Sequence, residues 1–161
     1  MKNLRLLFLT IPFILFACSD DDEGNGDTPN ALLGKWEAFG NKVEVDTNND
    51  EAKKAIQAYF GFEKGDEFTI EFFSDGKLTM SETYEGEEYK EDVKYEVKGK
   101  ELIVLYDGER LSSEFWIEGS TLYTKENATE EVKEELPYIV ENPEGIKINS
   151  ASVTTMFKRI K

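Results

Sequence analysis

The feature that most constrains the fold is a series of short alternating segments joined by glycine-bearing turns. Phe68, Ile70 and Phe72 alternate with polar residues, which is the pattern of a strand with one buried face. The Asp-Gly pair that follows predicts a tight hairpin turn. Further turns lie at residues 85–87, 98–100, 107–109 and 118–120. This spacing predicts six consecutive antiparallel strands, and strands over 36–45 and 152–160 raise the count to eight.

Two segments interrupt this pattern. Residues 51–60 carry apolar side chains at the spacing of one helical face, and Asn49 or Asp50 can cap that helix. Residues 129–136 indicate a second short helix, and a Pro-Glu-Gly turn within 142–145 predicts an extra hairpin after it. The predicted fold class is all-β: an antiparallel meander of eight strands, or up to ten with the extra hairpin, and one short helix between the first and second strands.

A meander with one apolar face buries that face by closing into a barrel, which also removes the exposed sheet edges. Four stretches carry a family likeness: Leu33-Gly34-Lys35-Trp36, Phe72-x-x-Asp75-Gly76-Lys77-Leu78, Tyr95-x-Val97-x-Gly99-x-x-Leu102 and Phe157-Lys158-Arg159. Over residues 31–161 the chain resembles the lipocalin-like domains of Bacteroidetes lipoproteins. The resemblance implies that the meander closes into a lipocalin-like β-barrel.

The same resemblance implies a structural role for three residues. Gly34 and Trp36 match the Gly-x-Trp pattern of the first strand, where the tryptophan lies across the closed end of the barrel. Arg159 matches the basic residue that stacks on it, a cation–π contact worth about 0.5–2 kcal/mol. The alternative is that Trp36 is a platform on which a ligand stacks.

The N-terminus predicts where the protein is located. Lys2 and Arg5 open an apolar run that ends at Ala17, directly before the chain's single cysteine, Cys18. A charged start, a short apolar core and a small residue at the cut site are typical of an export signal. The pattern resembles the lipobox of bacterial lipoproteins, in which residues 1–17 are removed and the cysteine is acylated. The resemblance implies a membrane partner, bound through an acyl anchor.

An acidic run follows Cys18, formed by Ser19, Asp20, Asp21, Asp22 and Glu23. It resembles the export tag that sends lipoproteins of this type to the outer leaflet of the outer membrane, facing the cell exterior. The alternative is a solvated tether, because like charges in a row repel and extend. In either case residues 18–30 are expected to be a flexible tether and 31–161 the folded domain.

Composition excludes several functions. Without residues 1–17 the chain has 17 basic and 34 acidic residues, a net charge of −17, and we therefore expect no nucleic-acid partner. It has no histidine, which excludes a Ser-His-Asp centre and an imidazole zinc site. Asp46-x-Asn48-x-Asp50 begins like a calcium loop but has Glu51 at the sixth position and Gln57 at the twelfth. We expect no metal, no cofactor and no enzymatic activity.

Two sets of residues are candidates for a ligand site. The inward positions Tyr84, Tyr89, Tyr95, Tyr106, Phe68, Phe72 and Phe115 could line a mostly apolar cavity. The alternative is a packed core with tyrosine hydroxyls at its rim. On the predicted helix, Ile56, Tyr59 and Phe60 could form a lid over the barrel mouth or a plug that completes the core. Glu130, Glu131, Glu134 and Glu135 are most simply a solvated helix face.

These observations lead to one functional hypothesis and one alternative. The chain is expected to be a surface-anchored, non-enzymatic binding protein that captures a small, partly apolar molecule or a glycan fragment in or at the mouth of the barrel. The alternative is a protein–protein interaction module, either an inhibitor or an accessory subunit of a surface uptake complex.

Overall fold

The computed structural model describes residues 30–62, 67–84 and 86–160, except for the side chain of Tyr84. Cys18, the acidic run after it and the predicted signal segment lie outside the described residues. Within those residues the elements are β1 Gly34–Thr47, α1 Asp50–Tyr59, β2 Glu67–Phe72, β3 Lys77–Tyr84, β4 Glu87–Lys98, β5 Glu101–Tyr106, β6 Glu109–Glu118, β7 Thr121–Asn127, α2 Thr129–Ile139 and β8 Ile148–Ile160. No helix of these residues is long and apolar enough to cross a membrane.

The eight strands form one closed antiparallel barrel in chain order, with β8 paired to β1. The predicted all-β meander and its barrel closure are therefore confirmed. The helix between the first and second strands is also confirmed: Asn49 caps α1 by accepting a hydrogen bond from the Ala52 backbone N–H at 2.8 Å.

The predicted extra hairpin before the last strand is wrong. Tyr138 and Ile139 continue α2, and among the described residues the next strand is β8 itself. The reason is that Val132, Leu136 and Ile139 are spaced for one helical face. Val132 and Leu136 are buried, and Ile139 packs against the same cluster. Burial of that apolar face stabilises the helix and extends α2 past residue 136, where the sequence pattern predicted that it would end.

The strands that close the barrel are much longer than their neighbour. β1 has 14 residues and β8 has 13, whereas β2 has 6. Among the described residues, β2 pairs with β1 only over residues 34–37, and the rest of β1 pairs with β8 alone. The residues of β1 after Glu37, with the β8 residues that pair with them, therefore extend beyond the part of the wall that β2 completes. The barrel end to which they extend is called the upper end, and the end at which β1 begins is called the lower end.

The closed end of the barrel is built around Trp36. Its side chain is 1% exposed, and its indole N–H donates to the Leu32 carbonyl at 2.8 Å. The Arg159 guanidinium lies 4.1 Å from the centre of the indole ring and also donates to the carbonyls of Ala31 and Leu33. The structure thus buries Trp36 and stacks Arg159 on it.

Gly34 is required at this end for two reasons. Its φ of 106° is one that side-chain-bearing residues rarely adopt. A Cβ there would also lie 3.0 Å from an Arg159 guanidinium nitrogen. A side chain at position 34 would therefore both strain the backbone and displace the arginine from the indole.

Replacing Trp36 with alanine is expected to lower the free energy of unfolding by about 3–5 kcal/mol, because it empties a large buried site. The matched control is Trp116→Ala, which removes the same side chain from the outer wall and is expected to cost about 1 kcal/mol. Urea denaturation of both variants provides the measurement. Equal losses would mean that Trp36 does not support the barrel end.

Candidate functional site

Both helices lie at the barrel end opposite Trp36. The chain enters α1 from the far end of β1 and α2 from the far end of β7, and β8 begins at that same end. On β8, Val153 and Phe157 are four residues apart and share one face of the strand. Phe157 belongs to the core inside the barrel, and Val153 belongs to the cluster beneath the helices. The helices therefore cover the continuation of the barrel's inner face.

Apolar residues of both helices and of the long strands form this upper cluster. Its buried members are Val43, Val45, Ala52, Ile56, Phe60, Ala128, Val132, Leu136, Ile148, Ala151 and Val153. The helix side chains are directed at the strands because each helix repeats its apolar residues every three to four positions. The arrangement closes the upper end of the barrel with side chains rather than with more strand.

The three predicted lid residues have different environments. Ile56 is completely buried and Phe60 is 4% exposed. Tyr59 is 46% exposed, and its hydroxyl donates to Glu135 of α2 at 3.0 Å. The expectation that Tyr59 faces the barrel is wrong, because Ala52, Ile56 and Phe60 occupy the inner stripe of α1 and leave Tyr59 at its edge. Tyr59 instead connects the two helices at the surface.

The predicted ligand-lining residues are mostly part of a packed lower core. Phe72, Tyr95 and Phe115 are buried there, and the rings of Phe72 and Tyr95 meet edge to face at 5.0 Å. The Tyr95 hydroxyl donates to the Phe73 carbonyl at 2.8 Å. Phe68 is partly buried, 6.2 Å from the Phe157 ring. The lower interior is therefore filled with side chains.

Of the two remaining tyrosines, the structure describes the side chain of Tyr106 only. Tyr106 packs at the edge of the core, and burial first, then hydrogen bonding to Glu91, raises the pKa of its hydroxyl. The side chain of Tyr84 lies outside the described residues.

Tyr89 does not line the interior, contrary to expectation. It is 50% exposed, and its hydroxyl donates to Glu87 at 3.1 Å. The reason is the length of the β3–β4 hairpin. β4 pairs with β5 only over residues 94–98, so in the part of the chain that the structure describes its first half pairs with β3 alone. Side chains there follow the inward alternation but have no opposite wall to cover them.

Two open hollows lie beside the upper part of β1. The first has a volume of about 770 Å³ and is lined by Lys42, Val43, Glu44, Val45, Asp46, Lys53, Gln57, Glu114, Lys125, Glu126, Asn127, Thr129, Ser150, Ala151 and Ser152. The second has about 640 Å³ and is lined by Phe39, Gly40, Asn41, Val43, Gln57, Gly61 and Phe62. Both volumes lie within the range of about 300–1,000 Å³ that small-molecule sites occupy. Val43 and Gln57 line both hollows.

Polar side chains hold the second hollow open where β1 leaves β2. Asn41 donates to the Phe60 carbonyl at 2.7 Å and accepts from the Phe62 N–H at 2.9 Å. Gln57 donates to the Val43 carbonyl at 3.0 Å. The Gln57 bond satisfies a backbone carbonyl of β1, and the Asn41 bonds satisfy backbone groups of the segment that follows α1. The gap in the wall is therefore part of the fold.

Two carboxyl groups, one of which lines the first hollow, have raised pKa values. Burial raises the pKa of Glu126 to about 7. Burial first, and then the nearby charges of Glu126, Glu135 and Glu134, raise the pKa of Glu131 to about 7. The expectation of a solvated face fails for Glu131, because its Oε2 is buried. The alternation of Glu126 with Leu122 on β7 was a sequence signal for an inward carboxyl group.

An apolar stripe of Phe39, Met156, Tyr123 and Trp116 lies on the outer wall, and the sequence analysis did not predict it. Trp116 pairs with Tyr123, Tyr123 with Met156, and Met156 with Gly40, so their outward positions form one row across β6, β7, β8 and β1. The rings of Trp116 and Tyr123 stack at 5.0 Å, and Phe39 at the end of the row is 46% exposed. The cross-strand register brings these residues together, and the register is not readable from the sequence.

Asn48, in the segment that begins like a calcium loop, forms hydrogen bonds with the backbone before β8. Asn48 donates to the Gly145 carbonyl at 3.0 Å and accepts from the Lys147 N–H at 2.8 Å. In the described part of the chain, no group of three or more His, Cys, Asp or Glu residues could hold a metal ion.

Comparisons with known proteins give only distant structural likeness. No family model matches the sequence, and no curated protein matches it. The structure is similar to Echinococcus granulosus fatty-acid-binding protein 1, with a TM-score of 0.39, 11% identity, and coverage of 83% of this chain and 100% of that one. It is similar to bovine odorant-binding protein in complex with its natural ligand, with a TM-score of 0.38, 12% identity, and coverage of 89% and 78%.

A third similar structure is secretory abundant heat soluble protein 4 from Ramazzottius varieornatus. Its TM-score is 0.40, its identity 14%, and the coverage 83% of this chain and 98% of that one. Likeness at this level does not bear on what the present chain binds. The barrel topology described above stands on its own strand pairing.

Replacing Ile56 with alanine is expected to lower the free energy of unfolding by about 2–5 kcal/mol, because this α1 side chain is completely buried. Lys54→Ala on the exposed side of the same helix is the control and should change stability by no more than about 0.5 kcal/mol. Thermal or urea unfolding measures both. A loss below about 1 kcal/mol for Ile56→Ala would mean that the helix is a loosely held lid.

Proposed function

We propose that this protein is a non-enzymatic binding protein that holds a small, partly apolar molecule or a glycan fragment at the helix-covered end of the barrel. The observation that carries the proposal is the first hollow, beside Val43, Val45 and Ala151. It has ligand-sized volume at an end that helices rather than strands close. The packed lower core supports a ligand site at this end rather than inside the lower barrel.

The lining of the hollow supports a ligand of mixed polarity. Val43, Val45 and Ala151 supply apolar surface, and the other lining residues are polar or charged. Charged and amide side chains offer hydrogen bonds to the hydroxyl groups of a ligand, which favours a partly polar ligand over a purely apolar one. A glycan fragment has the same mixture of C–H faces and hydroxyl groups.

We also propose that the protein is a lipoprotein of the outer membrane, displayed at the cell exterior. Cys18 directly after a short apolar run supports the acyl anchor, and the acidic residues 19–23 support surface display. Several acyl chains anchor a protein stably, whereas one chain binds only marginally. A tether of about a dozen residues reaches about 40 Å when extended, which would hold the barrel clear of the lipid head groups.

A second candidate function is a protein–protein interaction module, and the outer apolar stripe of Phe39, Met156, Tyr123 and Trp116 favours it. Rows of charged residues flank the stripe: Glu37 pairs with Lys158 at 2.9 Å on one side, and Lys125 with Glu44 at 3.3 Å on the other. An apolar centre with a polar rim is the usual composition of an interface.

Native mass spectrometry of protein purified from its own cells is expected to show a bound small molecule. Gln57→Trp should reduce its occupancy about tenfold, equivalent to about 1.4 kcal/mol, because Gln57 lines both hollows and a larger side chain fills them. Lys54→Trp, on the same helix but outside both linings, is the control. A retained protein partner with no small molecule would instead favour the interaction module.

Cys18→Ala is expected to release the protein from membranes without changing the stability of the barrel, because the residue precedes the predicted barrel domain of residues 31–161. Membrane fractionation and thermal unfolding give the two measurements. In a companion variant, Asp20, Asp21, Asp22 and Glu23 are replaced by alanine while Cys18 is kept. That variant should stay membrane-bound but become inaccessible to external protease. Unchanged protease access would mean that the acidic run is only a tether.

A further inference from the structure

Two glutamates lie at the junction where β7 passes into α2. Glu126 is on β7, four residues after Leu122, which is completely buried in the barrel core. Residues four apart on a strand share a face, so Glu126 is on the inward side. Glu131 is the third residue of α2, and the charge of Glu126 acts on it. The junction therefore brings two acidic groups together at the covered end of the barrel.

Glu131 lacks the partner that a glutamate at this helix position often has. In a capping box, the third helical residue accepts a hydrogen bond from the backbone N–H of the N-cap. Here the N-cap is Ala128, and its N–H donates instead to the Ala151 carbonyl at 3.0 Å. The Glu131 Oε2 is buried and has no hydrogen-bond partner among the described residues. Ionising a buried carboxyl group without a hydrogen-bond partner costs free energy. The helix dipole favours an ionised acid in the first turn and partly offsets that cost.

The charged groups around the pair do not neutralise it. On α2, Glu134 and Glu135 add further negative charge near Glu131. Lys133 pairs with Glu130 at 2.7 Å, and Lys125 pairs with Glu44 of β1 at 3.3 Å.

The other elements at this end contribute little that could offset the charge. Lys53 of α1 and Glu114 of β6 line the same hollow as Glu126. Lys42 and Asp46 of β1 also line it, and Lys42 pairs with Glu44 at 2.7 Å. The strand partner of Glu126 on β8 is the uncharged Val153. On α1, the Tyr59 hydroxyl donates to Glu135. Side chains of several elements thus lie around the pair. Among the described residues, no ion pair joins a cation to the carboxylate of Glu126 or Glu131.

We propose that Glu126 and Glu131 form a pH-sensitive latch that holds α2 against the barrel end while a carboxyl group is protonated and loosens it when both ionise. Ionisation in place creates two negative charges that repel each other in a poorly hydrated position. Lifting α2 relieves both costs, because the carboxylates then reach water. The buried face that α2 gives up, formed by Val132 and Leu136, opposes the motion.

The sign of the pH dependence follows from proton binding. Both carboxyl groups have a pKa of about 7 when α2 is docked, against the ordinary value of 4.5 when it is released. Between these values the docked state binds more protons, so rising pH favours release. Docking is strongest below about pH 4.5, weakens through the interval and is weakest above about pH 7.

The latch has a consequence for the hollow described above. Glu126 and Thr129 line it, and Thr129 is the first residue of α2. Release of α2 would widen this hollow and expose the strand residues beneath. The pH response of the helix does not depend on whether a ligand binds there, so the latch and the proposed function can fail separately.

Hydrogen exchange of the α2 backbone amides in the whole chain, corrected for intrinsic rates, tests the latch. The protection factor of the Val132 amide, which donates to the Ala128 carbonyl at 2.9 Å, should fall about tenfold or more between pH 5.5 and pH 8. Glu126→Gln and Glu131→Gln should each reduce this dependence, and the double variant should abolish it. Glu130→Gln, an exposed and ion-paired neighbour in the same turn, should leave it unchanged.

Carboxyl-carbon NMR titration of the wild-type chain gives a second readout that needs no substitution. Midpoints near 7 for the two glutamates, with chemical-shift changes in α2 over the same interval, are the expected result. Midpoints near 4.5, or α2 protection that does not change with pH, would overturn the proposal. Equal pH dependence in the wild type and the double variant would assign the effect to other groups.

Discussion

The pairing of β1 with β8 is the interaction on which the rest of the structure depends. It runs from Lys35 opposite Ile160 to Thr47 opposite Ile148, with irregularities at two points along β1. This pairing closes the meander, so the barrel has no open sheet edge at the join. It also continues beyond the short β2, which creates a strip of inner wall that β2 does not complete. The helices, both hollows and the acidic junction are all located around that strip.

The two helices meet because the two ends of the domain are neighbours in the barrel. α1 follows β1 and α2 precedes β8, so the β1–β8 pairing brings together segments that are about 70 residues apart in the chain. Their apolar faces complete an upper cluster above the packed lower core. Trp36 closes one end with a single buried ring, whereas the other end is closed by two separate helices. A helix held mainly by side-chain packing can be released more easily than a strand held by a ladder of backbone hydrogen bonds.

Much of the fold was predictable because its signals are local. The hairpin turns, the alternation of the middle strands and the capped helix α1 each depend on residues close together in sequence. The errors concern relations between elements. Tyr89 alternates correctly but extends past its neighbours, Tyr59 lies at the edge of its helical stripe, and Glu131 has a buried carboxylate oxygen. The hairpin predicted after residue 136 was overridden by burial of the α2 face.

The sequence by itself determined the number and order of the strands, the position of α1, and the presence of a lone cysteine after an apolar N-terminal run. The tertiary structure alone decided that the lower barrel is filled, that α2 covers the upper end, and that Glu126 and Glu131 share a buried junction. The physical reason is that a period-two pattern shows which face of a strand is buried but not how far the strand extends past its neighbours. Those relative lengths decide which side chains are covered, and therefore where charge is costly and where a ligand fits.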